Sequence, residues 1–197
     1  METQMGRKQE FDPVDATSKA MHLFWAKGYY DTSIRDLVAA TGVNYYGLYN
    51  VFDDKRGLFL AALDRYRATV TTQILASLTE TTSPLTGIQN AFDRAYDLMK
   101  PTRGHAGCFM CNTAIELAPH DTEAAQKVQA HLKQLKLGFQ AALERAQEAG
   151  ELSGNADPKS LGEYLATTAY SLGMLVRAGM SPAYVKRHAQ NALSILT

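Results

Sequence analysis

The sequence predicts an all-α protein, with a small three-helix unit at the N-terminus and a larger helical domain after it. Three observations lead there. Apolar residues recur at steps of three and four through almost every segment. The prolines, with several glycines and cap-forming side chains, fall at the ends of those segments. No stretch alternates as a half-buried strand does, and the chain shows neither an internal repeat nor a low-complexity run.

Each element follows from its own signals. Asp12-Pro13 is a cap followed by proline at the first helical position; Ala20, Met21 and Phe24 then share a face until Gly28 stops the helix. Thr32 or Ser33 can cap a short second helix through Ala40, and Ser33 with Asp36 has the spacing of a capping box. Gly42 falls where a tight turn is needed. Asn44 can cap a third short helix to about Val51 or Phe52. Asp54 can start a long fourth helix bearing Leu58, Phe59, Ala62, Leu63 and Tyr66. Ser83-Pro84 opens a segment to about Lys100 that carries Ile88, Phe92, Tyr96 and Met99. A break at Pro101 to Gly107 precedes a short helix from Cys108 to Leu117, and Asp121 starts a long one with Val128, Leu132, Leu135, Phe139 and Leu143. The last two helices run over about 158–178 and 182–196, parted by Gly179 and Ser181-Pro182.

Composition narrows the classes. Over 197 residues the chain holds 20 Lys+Arg, 20 Asp+Glu and 46% hydrophobic residues, an ordinary soluble balance. No apolar run approaches the roughly 20 residues that span a bilayer. Met1 to Asp12 is polar and has no signal-peptide core, so a cytoplasmic protein with no membrane partner is expected. Two cysteines do not make a disulfide framework. Charge offers no hint of a polyanion: residues 1–60 contain seven Lys/Arg against eight Asp/Glu.

The most informative stretch is 32–52, a helix of about eight residues, a turn through Gly42 and a second short helix. This is the helix-turn-helix arrangement, in which the first helix braces the second and the second presents its N-terminal residues to a DNA major groove. Ile34, Leu37, Val38, Val43 and Leu48 are spaced to form its core. Tyr45, Tyr46, Tyr49 and Asn50 are left facing outward, where tyrosines can reach phosphates or thymine methyls and Asn50 a base edge. Lys55 can meet the DNA backbone from the start of the next helix.

Leu23 to Leu37, then Ala40 to Asn44, then Leu48 to Phe59, strongly resemble the TetR (tetracycline-repressor) family, continuously over about 12–66. Gly107-Cys108 followed by Asn112, Glu116 and Leu117 resembles one branch of it more weakly. The resemblance implies about nine helices, with a DNA-binding domain over 1–53 and an effector-binding and dimerisation domain over 54–197. It implies a regulator, expected to be a repressor, that binds double-stranded operator DNA as a homodimer and is released by a small apolar or electrophilic effector. Thr32, Tyr49 and Lys55 align with backbone-contacting positions, and Tyr45, Tyr46 and Asn50 fall in the recognition helix; Ser33, Arg35 and Asn44 complete the expected DNA-facing set. The chain departs from the family in having Tyr45-Tyr46 where Lys or Arg then Gly is usual, and Val51 where His is frequent. Losing that cation removes a phosphate contact, so a weaker salt dependence is expected.

The effector walls are expected from Phe92, Tyr96, Met99, Cys108, Cys111, Ile115, Phe139, Tyr164 and Thr168, an apolar and aromatic set. Cys108 and Cys111 share a helical face. Cys108 follows Gly107 at a helix start, with Arg103 and His105 just upstream, which suggests a thiol of lowered pKa and an electrophilic effector. The alternative function is a thiol-redox or metal-sensing protein built on these two cysteines. Zinc could draw on His105 or His120, but a second ligand pair is missing, so no metal or cofactor is expected. Glu116, His120 and Asp121 have no nucleophile beside them, and no enzyme is expected. Along the penultimate helix Gly162, Ala166, Ala169 and Gly173 form a small-residue strip flanked by leucines. With Leu193, Ile195 and Leu196, it predicts a dimer through the last two helices.

Overall fold

Residues 11–101 and 107–196 are described by a computed structural model. Nine helices are present among them, and their ends lie where the caps predict. The Asp12 carboxylate accepts from the Val14 amide at 2.9 Å and starts α1 (Pro13–Lys27), which buries Ala16, Ala20, Met21, Phe24 and Trp25. In α2 (Ile34–Thr41) both halves of the Ser33/Asp36 capping box form, satisfying two amides that the first turn would otherwise leave open. Gly42 then takes φ 74°, the left-handed conformation that lets its N–H close on the Val38 carbonyl. Asn44 caps α3 (Tyr45–Phe52) by accepting from the Gly47 amide at 2.8 Å.

Asp54 caps α4, which runs Lys55–Tyr66, passes through a π-helical stretch Arg67–Thr71 and ends in Thr72–Ala76. The π stretch has no counterpart in the sequence reading. Next come α5 (Pro84–Met99), α6 (Phe109–Glu116), the 27-residue α7 (Thr122–Glu148), α8 (Pro158–Arg177) and α9 (Pro182–Leu193). At 1.5 Å per residue α7 is about 40 Å long and serves as the spine.

One hydrophobic core runs through both halves. In the head, formed by α1, α2, α3 and the first turns of α4, Phe24 and Phe59 pack edge to face at 4.9 Å, and Phe59 meets Phe109 of the body, the helices after it, at 5.4 Å. Each such buried ring contributes roughly 2–3 kcal/mol of apolar burial, so head and body are joined by packing as well as by chain. The small-residue strip expected at the dimer surface lies instead inside the subunit. A Cβ on Gly162 would sit 3.0 Å from the Gln140 amide nitrogen of α7, and one on Gly173 would sit 2.4 Å from Cys108 Cβ. Ala166 and Ala169 are buried beside them, with Leu165 and Leu172. Close approach is what the strip permits, but α7 and the start of α6 are the partners.

Candidate nucleic-acid interface and effector cleft

Leu37 of α2, Leu48 of α3 and Val43 between them are buried, with Ile34 and Val38 half-buried, so α3 is braced across α2. That leaves Tyr45 46% and Tyr46 76% exposed at the tip of α3. The tip is ordered by its own rings: Tyr45 stacks on Tyr49 with centroids 4.1 Å apart and meets Tyr46 edge-on at 5.6 Å. Tyr49 is half-buried beneath them. Burial first, and Tyr45 second, raise its pKa, so it remains a hydroxyl donor. Ser33, Arg35, Asn44 and Asn50 are exposed around this tip.

Two expected contacts stand differently. Thr32 is corrected: it is fully buried, and its hydroxyl donates to the Gly28 carbonyl at 2.6 Å, so it braces the α1–α2 turn and has no surface to offer a phosphate. Lys55 is half-buried, with its ammonium 4.4 Å from the Tyr29 ring centre. Most other cations of the described head are also engaged: Lys19 with Asp15, Lys27 with Asp36, and Arg56 with Asp121 and Glu123.

The head is held to the body at three further points. The Trp25 indole N–H donates to the Gly107 carbonyl at 2.9 Å, just before α6. The Glu116 carboxylate at the end of α6 accepts from the Tyr30 amide at 2.8 Å. It fills the space where a Cβ on Gly28 would come within 2.7 Å, and Gly28 has φ 90°. Arg56, at the start of α4, makes a bidentate pair with Asp121 at 2.6 and 3.0 Å, where Asp121 also caps α7. Sequence reasoning missed Trp25, Glu116 and Arg56 as joints, because their partners are 65 to 86 residues away.

The nine expected effector walls do not form one lining. Phe92 and Tyr96 do face a cleft of about 520 Å³ between α5, α8 and α9, whose remaining apolar wall is Leu172, Val185, Ala189 and Leu193. Asp93 and Lys186 stand at its rim, and the Lys186 ammonium lies 5.6 Å from the Tyr96 ring centre. Met99, Phe139 and Thr168 are packed in the interior, and Ile115 and Tyr164 point to solvent, 70% and 43% exposed. The α9 wall had a legible signal in the four-residue step Val185, Ala189, Leu193.

The reactive-thiol expectation is also corrected. Cys108 sits at the N-cap of α6, but it is buried, and its sulfur accepts from the Tyr66 hydroxyl at 3.5 Å. Burial pushes the Cys108 thiol up, and pushes Cys111 up to about 11, so desolvation outweighs the helix dipole. Arg103 and His105 lie outside the described residues, as does the polar stretch before Phe11. Among the described residues no three His, Cys, Asp or Glu side chains converge as metal ligands, and no helix is long and apolar enough to cross a membrane.

Two family profiles match the chain. One, described as bacterial regulatory proteins, tetR family, covers residues 16–62; the other, the tetracyclin repressor-like C-terminal domain, covers 84–192. The HTH-type transcriptional regulator YezE of Bacillus subtilis (strain 168) is 31% identical over 193 residues, 98% of this chain and all of that one. The HTH-type transcriptional repressor ComR of Escherichia coli (strain K12) is 33% identical over 177 residues, 89% of this chain and 84% of that one. Among solved structures, a cysteine-substituted form of the TetR family transcriptional regulator CifR, complexed with 26-base-pair double-strand operator DNA, superposes with a TM-score of 0.86. That likeness is at 22% identity, covers 98% of this chain and all of that one, and concerns the fold.

Proposed function

Because this chain belongs to the tetR family of bacterial regulatory proteins and is a transcriptional regulator of that family, we propose that it represses transcription by binding operator DNA as a two-fold dimer and lets go when a small apolar molecule binds. The observation that supports it most is the α3 tip, which leaves large aromatic side chains exposed and mutually ordered at the place where such a helix enters the major groove. Residues 1–53 are the proposed DNA-binding domain and 54–197 the effector-binding and dimerisation domain. Ser33, Arg35, Asn44, Tyr45, Tyr46, Tyr49, Asn50 and Lys55 are the proposed DNA-facing set. The repressor named ComR, and the operator-bound state of CifR, point the same way.

The dimer surface we propose is the outer face of α8 and α9. Tyr164, Thr167 and Met174 fall on one side of α8, and Tyr184 and Ile195 on the matching side of the last segment, all exposed. The cleft takes the effector at the inner face of α9, against Val185, Ala189 and Leu193, opposite the face that would hold the partner. An occupant that shifts α9 changes the spacing of the two heads, and DNA affinity follows by linkage. The test is a gel shift with the DNA flanking the protein's own gene, at low salt and with competitor. A specific, dimer-sized shift supports the reading; no retardation of any flanking fragment removes it.

A further inference from the structure

The chemistry exposed on α3 also restricts which base pairs it can read, an inference that rests on the operator-binding reading above. Guanine offers two acceptors, O6 and N7, to the major groove and is read best by the fork of an arginine or by a lysine. From Asn44 to Asp54 there is no Lys or Arg. The nearest cation downstream, Lys55, is half-buried on the Tyr29 ring, and Arg56 is turned away into Asp121. Arg35 belongs to the bracing helix, which crosses the DNA backbone in this arrangement.

What α3 does present are Tyr46 and Asn50, one turn apart and on the same face, both exposed. A carboxamide matches adenine N7 and N6 as acceptor and donor at once, and the edge of a tyrosine ring is apolar surface of the kind that packs on a thymine C5-methyl. Tyr46 is set against Tyr45, which in turn stacks on half-buried Tyr49, so the ring is oriented before DNA arrives and little rotamer freedom is lost on contact. We propose that α3 is an A·T reader: Asn50 pairs with an adenine and Tyr46 covers a thymine methyl in each half-site, and the contacted positions discriminate against G·C.

The experiment is selection of bound duplexes from a randomised library by the full-length protein, followed by thymine-to-uracil replacement, which deletes only the methyl. The inference expects A·T pairs at the contacted positions of both half-sites. It expects about fourfold weaker binding per methyl removed for the wild type, and no further loss for Tyr46→Ala. Tyr46 is so exposed that this variant keeps the fold, which circular dichroism checks. Half-sites requiring G·C at those positions, or a wild type indifferent to uracil, would overturn the inference and leave the regulator reading standing. Enrichment of no duplex at all would overturn both.

Discussion

A buried histidine in the body of the protein sets a sharp expectation for pH. His131 of α7 is 2% exposed, its Nδ1 is 3.1 Å from the Thr71 hydroxyl, and the rings of Tyr66 and Tyr170 lie 6.1 and 6.2 Å away. Thr71 ends the π-helical stretch of α4, and Arg67 begins it. Burial first, and the Arg67 guanidinium second, lower the His131 pKa from 6.5 to about 4. The unfolded chain therefore holds a proton that the folded chain refuses throughout that window. Stability is complete above about pH 6.5 and falls as pH drops toward 4, by a total of about 3 kcal/mol from this one group. The comparison is with a His131→Leu, Thr71→Val double variant, which removes the imidazole without stranding the hydroxyl. Urea midpoints are measured at one protein concentration, since dimerisation would otherwise move them. The wild type loses stability on acidification relative to the variant, by about 3 kcal/mol between pH 6.5 and 4, whichever of the two is the more stable at neutral pH. If both lines run parallel between pH 6.5 and 4, the imidazole is not held neutral and the assignment of the lost stability is wrong.

Other expectations are more local. Gly173→Ala forces a Cβ against Cys108 and destabilises the subunit itself by roughly 1–3 kcal/mol in urea unfolding. A loss of dimer affinity with subunit stability intact would return the strip to the surface. Met174→Glu on the exposed face of α8 yields a folded monomer by sedimentation; an unchanged dimer would move the interface elsewhere. Both thiols resist a disulfide reagent until denaturant is added, and N-ethylmaleimide releases wild type and Cys108→Ser from DNA equally little; immediate reaction of native Cys108 would restore the sensor idea. Asn44→Ala removes the α3 cap at a cost of about 1 kcal/mol and weakens operator binding more than it lowers the global melting temperature.

How far the sequence could be read depended on the distance over which each signal acts. A cap is made by residues two or three apart, so Asp12, Ser33, Asn44, Asp54, Ser83 and Asp121 each announced a helix where one begins. The exposed tip of α3 was equally local, because Leu37 and Leu48 turn inward and leave Tyr45 and Tyr46 out. The effector lining was not local. Periodicity says which residues avoid water; it does not say whether what they meet is a neighbouring helix or an empty cleft. Phe92 and Phe139 look alike in sequence, yet Phe92 edges a cleft and Phe139 is enclosed.

The same limit explains the misplaced strip and the misjudged thiol. Gly162 and Gly173 declare that something approaches closely, but only the folded chain shows that Gln140 and Cys108 are what approach. The helix start at Cys108 argues for a lowered pKa from local geometry, and burial reverses the sign. Short-range hydrogen bonding and helical periodicity are encoded in neighbouring residues, so the sequence by itself determined where the helices among the described residues begin and that the tyrosine tip is exposed. Burial, cavities and the joints made by Trp25, Glu116 and Arg56 arise between residues far apart in the chain. Those were decided by tertiary packing, because desolvation depends on everything that surrounds a group and not on its neighbours in sequence.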